Sequence, residues 1–297
     1  MAAETPEEEG DAAVVDWCAE GLEPIRGGGC FAAAKGSVQD APIVLYLHGM
    51  YERTAGVADE LDRQHRVAAR ATARGLNVLA LRGREGECNA RPELATWFCW
   101  PSNERTAHDA PDFVKAWGPA LRETERRAGK GPRFVLGFSN GAFFAGLLAV
   151  GAHFDATAFA VANGGPVEPV HALGAKPPLL LMSADDDESQ EGMIRFDVEL
   201  TKDEWPHEIY ARGGGHALHD EDIDAALTFF MRSQREKVPF TPPLSAHRPQ
   251  PHARDAAPPS LPPDDDAEVS PPIPPSASPA AVSSPDDHTP REELPAE

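Results

Sequence analysis

Six short β-rich runs punctuate the chain: PIVLYL (42–47), NVLAL (77–81), RFVLGF (133–138), TAFAVA (157–162), PLLLMS (178–183) and HEIYAR (207–212). Several are apolar at both alternating positions, the pattern of parallel strands covered by helices on both faces. Between them lie helix-compatible stretches at 56–74, 104–127 and 141–152, and 220–234 closes the series. In that last stretch Ile223, Leu227, Phe230 and Met231 recur at helical spacing, while Asp220, Glu221 and Asp222 suit the positive end of a helix dipole. Strand alternating with helix predicts an α/β fold on an open, mostly parallel sheet. No internal repeat is visible.

Charge and proline divide this material from its flanks. The formal charge is −21, and residues 1–16 and 239–297 together carry −13 of it. Residues 239–297 also hold 17 of the 30 prolines, in strings such as APPSLPPDDD and PPIPPSASPA. Proline removes backbone donors, and so little apolar surface cannot offset the entropy of ordering. The expected organisation is an acidic disordered N-terminus (1–16), an α/β domain (17–238) and a Pro-rich acidic disordered tail (239–297). The tail is expected to act as a solubilising segment, with a weak polyproline-type protein contact as the alternative.

The acidity also bears on partners. A charge this negative repels phosphate backbones, and no Lys/Arg run with interleaved aromatics opposes it, so nucleic acid is not an expected partner. No window approaches the roughly 18 consecutive apolar residues of a membrane span, and MAAETPEEEGD is acidic where a signal or transit peptide is basic. These features lead to the expectation of no membrane association and of a cytoplasmic protein.

The most informative stretch is RFVLGFSNGAFFAGLLA, an apolar strand running through Gly137-Phe138-Ser139-Asn140-Gly141 into an apolar helix. In a G-x-S-x-G turn the flanking glycines let strand and helix approach closely, and the strained serine backbone lifts the hydroxyl clear. By itself the pattern also fits an ordinary helix start with Ser139 as N-cap. A serine hydroxyl is inert without a base, and ARGGGHALHDED places His216 on a glycine-rich loop before the last helix. PLLLMSADDDES sets Asp185, Asp186, Asp187 and Glu188 just beyond a buried strand, where a carboxylate can fix the histidine tautomer. For the oxyanion, the main-chain N–H of Asn140 is expected to pair with one from the loop His48-Gly49-Met50-Tyr51, that of Met50.

With these motifs in order, LYLHGM, GFSNGA, LLLMSADDD and GGGHAL, the sequence resembles the α/β-hydrolase family from about residue 38 to 234, as a small lidless serine carboxylesterase-like member. The resemblance implies Ser139 as nucleophile, His216 as general base and acid, and an aspartate of 185–187 as the orienting acid. It singles out Asp186, because the family's strand-His-Gly-x-x-Asp pattern superimposes on Met182-Ser183-Ala184-Asp185-Asp186, with Met-Ser standing in place of His-Gly. Only NGGPVEPVHALGAKP separates two strands where many members insert a lid, so no large cap domain is expected.

The loop 83–104, with Tyr51 nearby, supplies Trp97, Phe98 and Trp100 as candidate lining of a substrate pocket. The alternative is that these rings cover the domain edge, pinned by Cys88 and Cys99. Sequential pairing of the four cysteines, Cys18–Cys30 and Cys88–Cys99, is favoured by their local spacing, and such bridges would place the protein outside the reducing cytoplasm. No HExxH, EF-hand register, CxxC pair, phosphate loop or GxGxxG fingerprint is present, so neither metal nor cofactor is expected. The expected function is hydrolysis of a small-molecule carboxylic ester through an acyl-serine intermediate. A peptidase or thioesterase of the same fold, or a non-catalytic binding or scaffold protein, are the alternatives.

Overall fold

A computed structural model describes residues 17–36, 39–88, 91–102, 107–166 and 175–235. The acidic N-terminal segment 1–16 and the Pro-rich tail 239–297 of the sequence reading lie outside the described residues. So does part of the connection at 163–177.

The main sheet has eight strands: β1 (Glu23–Ile25), β2 (Gly29–Ala32), β3 (Ile43–Leu47), β5 (Asn77–Leu81), β8 (Arg133–Phe138), β9 (Ala158–Ala162), β10 (Leu179–Ala184) and β11 (His207–Arg212). Their spatial order is β1-β2-β5-β3-β8-β9-β10-β11, antiparallel at β1/β2 and β2/β5 and parallel elsewhere. A three-stranded antiparallel sheet of β4 (Tyr51–Glu52), β7 (Trp97–Cys99) and β6 (Arg84–Glu85) stands at the rim. The helices are α1 (Val57–Ala73), α2 (Ala110–Ala116), α3 (Gly118–Ala128), α4 (Asn140–Val150), α5 (Gln190–Lys202) and α6 (Asp220–Arg235).

The continuous apolar runs have the expected cause, since every residue of β3, β5 and β9 is buried. Leu45 and Leu47 point to the face packed by Phe113 of α2, Phe144 and Leu148 of α4, and Phe196 and Leu200 of α5. Val44 and Tyr46, alternating with them, point to the face packed by Val67 and Ala71 of α1 and by Ile223, Leu227 and Phe230 of α6. Full burial of one such side chain contributes about 1.5–3 kcal/mol, so these two faces dominate the stability.

Two expectations about helices need correction. The stretch 104–127 is not one helix: α2 ends at Ala116, and Pro119 sits in the first turn of α3, where its missing N–H is harmless. Helix α5 has no counterpart in the sequence reading. Its buried Met193, Phe196 and Leu200 follow helical spacing, but exposed Ile194 and Val198 blur the apolar stripe.

The sheet order brings the C-terminal ends of β3, β8, β10 and the loop after β11 together, and these ends carry the candidate site. Helix α6 is tied to α1 by Arg70 and Arg74 on Asp224, at 2.6 and 2.7 Å, and by Arg66 on Asp220. Each such half-exposed pair is worth little alone. Together they fix the start of α6, from which the His216 loop hangs.

Candidate active site

Ser139 occupies the tight turn between β8 and α4 with φ 53° and ψ −121°. A non-glycine residue at positive φ carries strain of about 1–3 kcal/mol, and such strain persists only where the surroundings enforce it. The enforcement is visible in the two flanking glycines. A side chain on Gly137 would strike the Gly141 carbonyl, and one on Gly141 would strike the carbonyls of Leu47 and His48 at the end of β3. The helix therefore starts in contact with the neighbouring strand, and only glycine fits there.

His216 lies with Nε2 2.8 Å from Ser139 Oγ. Its Nδ1 lies 2.8 Å from Asp187 Oδ2. An ionised carboxylate only accepts, so Nδ1 carries the proton and Nε2 is free to accept from the serine hydroxyl. The aspartate of the sequence reading is thereby corrected: Asp187, not Asp186, faces the histidine. The cause is the backbone beyond β10. The amides of Asp185 and Asp186 donate to the carbonyls of Arg212 and Gly214, extending the pairing with the β11 side and leaving both side chains in solvent. The Asp187 amide then donates to Ala184 O and turns the chain inward. The Asp187 side chain is fully buried, and its Oδ1 accepts from the Ser189 amide at 2.7 Å.

The loop carrying His216 is held just downstream of the ring. Ala217 O accepts from Asn163 Nδ2 at 2.9 Å and from Arg212, and Leu218 O accepts from Arg66 Nη1 at 2.8 Å. Arg212 is in turn paired with buried Asp222, which also accepts from the His219 amide. None of these supports was visible in the sequence, because each joins residues distant in the chain or oriented by a turn.

The loop after β3 reaches the serine from the other side. A side chain on Gly49 would lie 3.1 Å from Ser139 Cβ, so the loop with Met50 touches the turn that carries Ser139. His48 is fully buried, and burial pushes its pKa down to about 3 against the opposing effect of its bond to Gly49 O. The neutral ring donates from Nδ1 to Gly49 O at 2.6 Å and accepts at Nε2 from the Gly83 amide at 2.8 Å. Asn140 is also buried. Its Oδ1 accepts from the Trp100 amide at 2.7 Å, and its Nδ2 donates to Ser102 Oγ at 2.7 Å and Trp100 O at 3.3 Å.

Of the aromatic residues suggested as pocket lining, Tyr51, Phe98 and Trp100 are buried in packed positions. Trp100 has no exposed surface and stacks on Phe144 at 5.5 Å in the core. Tyr51 and Phe98 are buried and stack on each other at 5.3 Å, while Trp97 is half-buried opposite Glu52. Trp100 is taken up by the core, where it also meets Phe113 and Trp117, and the Tyr51–Phe98 stack is extended by the His48 ring at 4.8 Å from Tyr51. The structure pairs Cys18 with Cys30 and Cys88 with Cys99, the second bridge closing the loop between β6 and β7. Among the described residues no group of three or more His, Cys, Asp or Glu is placed to hold a metal ion, and no helix is long and apolar enough to cross a membrane.

A parallel-cored sheet in this strand order, with a strained serine after its central strand and no large cap among the described residues, is the α/β-hydrolase fold. Solved structures of that fold are similar to this chain. They include a carboxylesterase of Bacillus cereus (16% identity, TM-score 0.52, covering 69% of this chain and 94% of that one) and the esterase PE8 (19%, 0.50, covering 69% and 97%). A third is YahD, solved with malic acid (16%, 0.51, covering 69% and 98%). No protein-family model and no curated protein matches the chain.

Proposed function

We propose that this protein hydrolyses carboxylic esters of small molecules through a covalent acyl-serine intermediate. The observation that carries the reading is the unbroken chain from Ser139 Oγ to His216 Nε2 and from His216 Nδ1 to Asp187 Oδ2, with 2.8 Å at each link. The likeness in fold to an esterase and a carboxylesterase supports ester bonds as the first substrates to try.

In this reading His216 Nε2 takes the Ser139 proton as Oγ attacks the ester carbonyl. Buried Asp187 holds the tautomer that makes this possible and stabilises the imidazolium that forms. The main-chain N–H groups of Met50 and Asn140 receive the oxyanion, each worth on the order of 3 kcal/mol in the transition state. Collapse expels the alcohol, which leaves with the proton from His216. Water then repeats the cycle against the acyl enzyme and returns Ser139. The α/β domain performs the chemistry alone, and residues 239–297 take no part in it.

The test is hydrolysis of chromogenic acyl esters of increasing chain length by the wild type and by Ser139→Ala. The reading expects turnover that disappears in the variant. Equal rates from the two proteins, or a folded wild type inert across the panel, would exclude it.

A further inference from the structure

Trp100 touches both halves of the oxyanion-binding backbone without reaching the surface. Its indole Nε1–H donates to His48 O at 2.9 Å, two residues before Met50. Its own amide and carbonyl are bracketed by the two ends of the Asn140 side chain. One buried residue therefore connects the loop that supplies the first amide to the residue that supplies the second.

The ring is locked from every side that could let these bonds drift. It stacks on Phe144 of α4 with 12° between planes and meets Trp117 edge-on at 5.9 Å. Its predecessor Cys99 is tethered to Cys88 by the disulfide. Gly83, whose backbone lies against that of Cys99, donates its amide to His48 Nε2, closing the circuit back to the β3 loop. All the acceptors are held by buried partners, and His48 is neutral and so adds no charge. Two amides that must converge on one oxygen need their separation fixed within a few tenths of an ångström, because hydrogen bonds weaken steeply with misalignment. The ladder between β3 and β8 sets the two strands against each other as far as Leu47 and Gly137, but Met50 and Asn140 lie beyond it. Past the end of that ladder, Trp100 bonds to both sides, to His48 O and to the Asn140 side chain.

We infer that Trp100 is a positioning residue for the oxyanion hole, acting through the His48 carbonyl and the Asn140 side chain. This rests on the esterase reading and adds a residue that never meets the substrate. Trp100→Phe removes the indole donor while keeping an aromatic ring on Phe144. Asn140→Asp keeps the main-chain amide and the acceptor for the Trp100 N–H but replaces the side-chain donor to Trp100 O and Ser102. The measurements are kcat and KM on a chromogenic ester, and the Kd of phenylboronic acid, which forms a tetrahedral adduct on an activated serine and mimics the transition state.

The inference expects kcat to fall at least about tenfold in either variant with KM within about twofold, since only transition-state contacts are disturbed. The boronate Kd should rise by a similar factor, and the double variant should lose little more than the worse single one. If Trp100→Phe and Asn140→Asp fold and lower only the melting temperature, with kcat and boronate affinity as in wild type, Trp100 is a core residue and the inference fails while the esterase reading stands. A wild type without Ser139-dependent turnover removes the reading and the inference together.

Discussion

His216 Nδ1 and Asp187 Oδ2 stand 2.8 Å apart, and the carboxylate is closed off from solvent while the imidazole is 39% exposed. The neighbouring Asp186 carries an equivalent group in solvent, one residue away. Burial and orientation, not the presence of a carboxylate, distinguish the two.

Asp187→Asn should therefore lower kcat by about 10³–10⁴-fold, because an amide in that place favours the wrong histidine tautomer. Asp186→Asn should stay within about threefold of wild type, the magnitude expected of a solvated group outside the hydrogen-bonded chain. Steady-state kinetics of the two variants decide the matter, and a larger loss in Asp186→Asn would reverse the assignment.

Glu60 gives the protein a pH dependence of its own. It is buried on α1 beside Tyr46, and burial raises its pKa to about 7, only partly offset by Arg63 and Gln64. An acid whose pKa is raised on folding binds its proton more tightly in the native state, so its stabilisation is complete below the unfolded value of 4.5 and is lost as pH rises through 7. The span amounts to on the order of 3 kcal/mol. Urea denaturation from pH 4.5 to 8 should show stability falling across this range in wild type. Glu60→Gln should flatten that slope, and an unchanged slope would show that Glu60 does not titrate there.

Gly141 is the position where the turn tolerates least. A methyl group there meets the carbonyls of Leu47 and His48, both backbone atoms of a central strand and its loop, which cannot rotate away. Gly141→Ala should cost at least the roughly 3 kcal/mol at the upper end of overpacking substitutions and should displace Ser139 from His216. Chemical denaturation and ester turnover together test this. Wild-type values of both would mean that α4 and β3 are less tightly apposed.

Much of this was legible along the chain, for reasons that can be stated residue by residue. The runs at β3, β5, β8, β9 and β10 announce themselves because burial on both faces leaves at most one polar residue in each. Gly137, Ser139 and Gly141 are readable because they fall in one five-residue pattern, although the contact that demands Gly141 comes from Leu47 and His48, far away in the chain. Asp187 was not readable, since the choice among three aspartates depends on two backbone bonds to the β11 side. The place of Trp100 stayed open for a similar reason: an indole in the loop 83–104 serves a pocket or a packed core equally well by composition. The short hairpin of β1 and β2, turning at Gly27 and Gly28 with positive φ, lacks a long apolar run and left no periodic signal.

The tail offers a separate test of how function is distributed. If residues 17–238 carry the chemistry, deletion of 239–297 should leave kcat and KM of ester turnover within about twofold, as expected when no transition-state contact is removed. A folded truncated protein with a large loss of kcat would assign part of the site to the tail.

The central claim is that Ser139 becomes covalently acylated during turnover. The most direct measurement is rapid acid quench of the enzyme mixed with excess p-nitrophenyl acetate, followed by peptide mass spectrometry. The account predicts an acetyl group on the peptide containing Ser139, formed at the rate of the p-nitrophenol burst and absent in Ser139→Ala. Turnover with no acyl group on that peptide, or with one on a different residue, would contradict it.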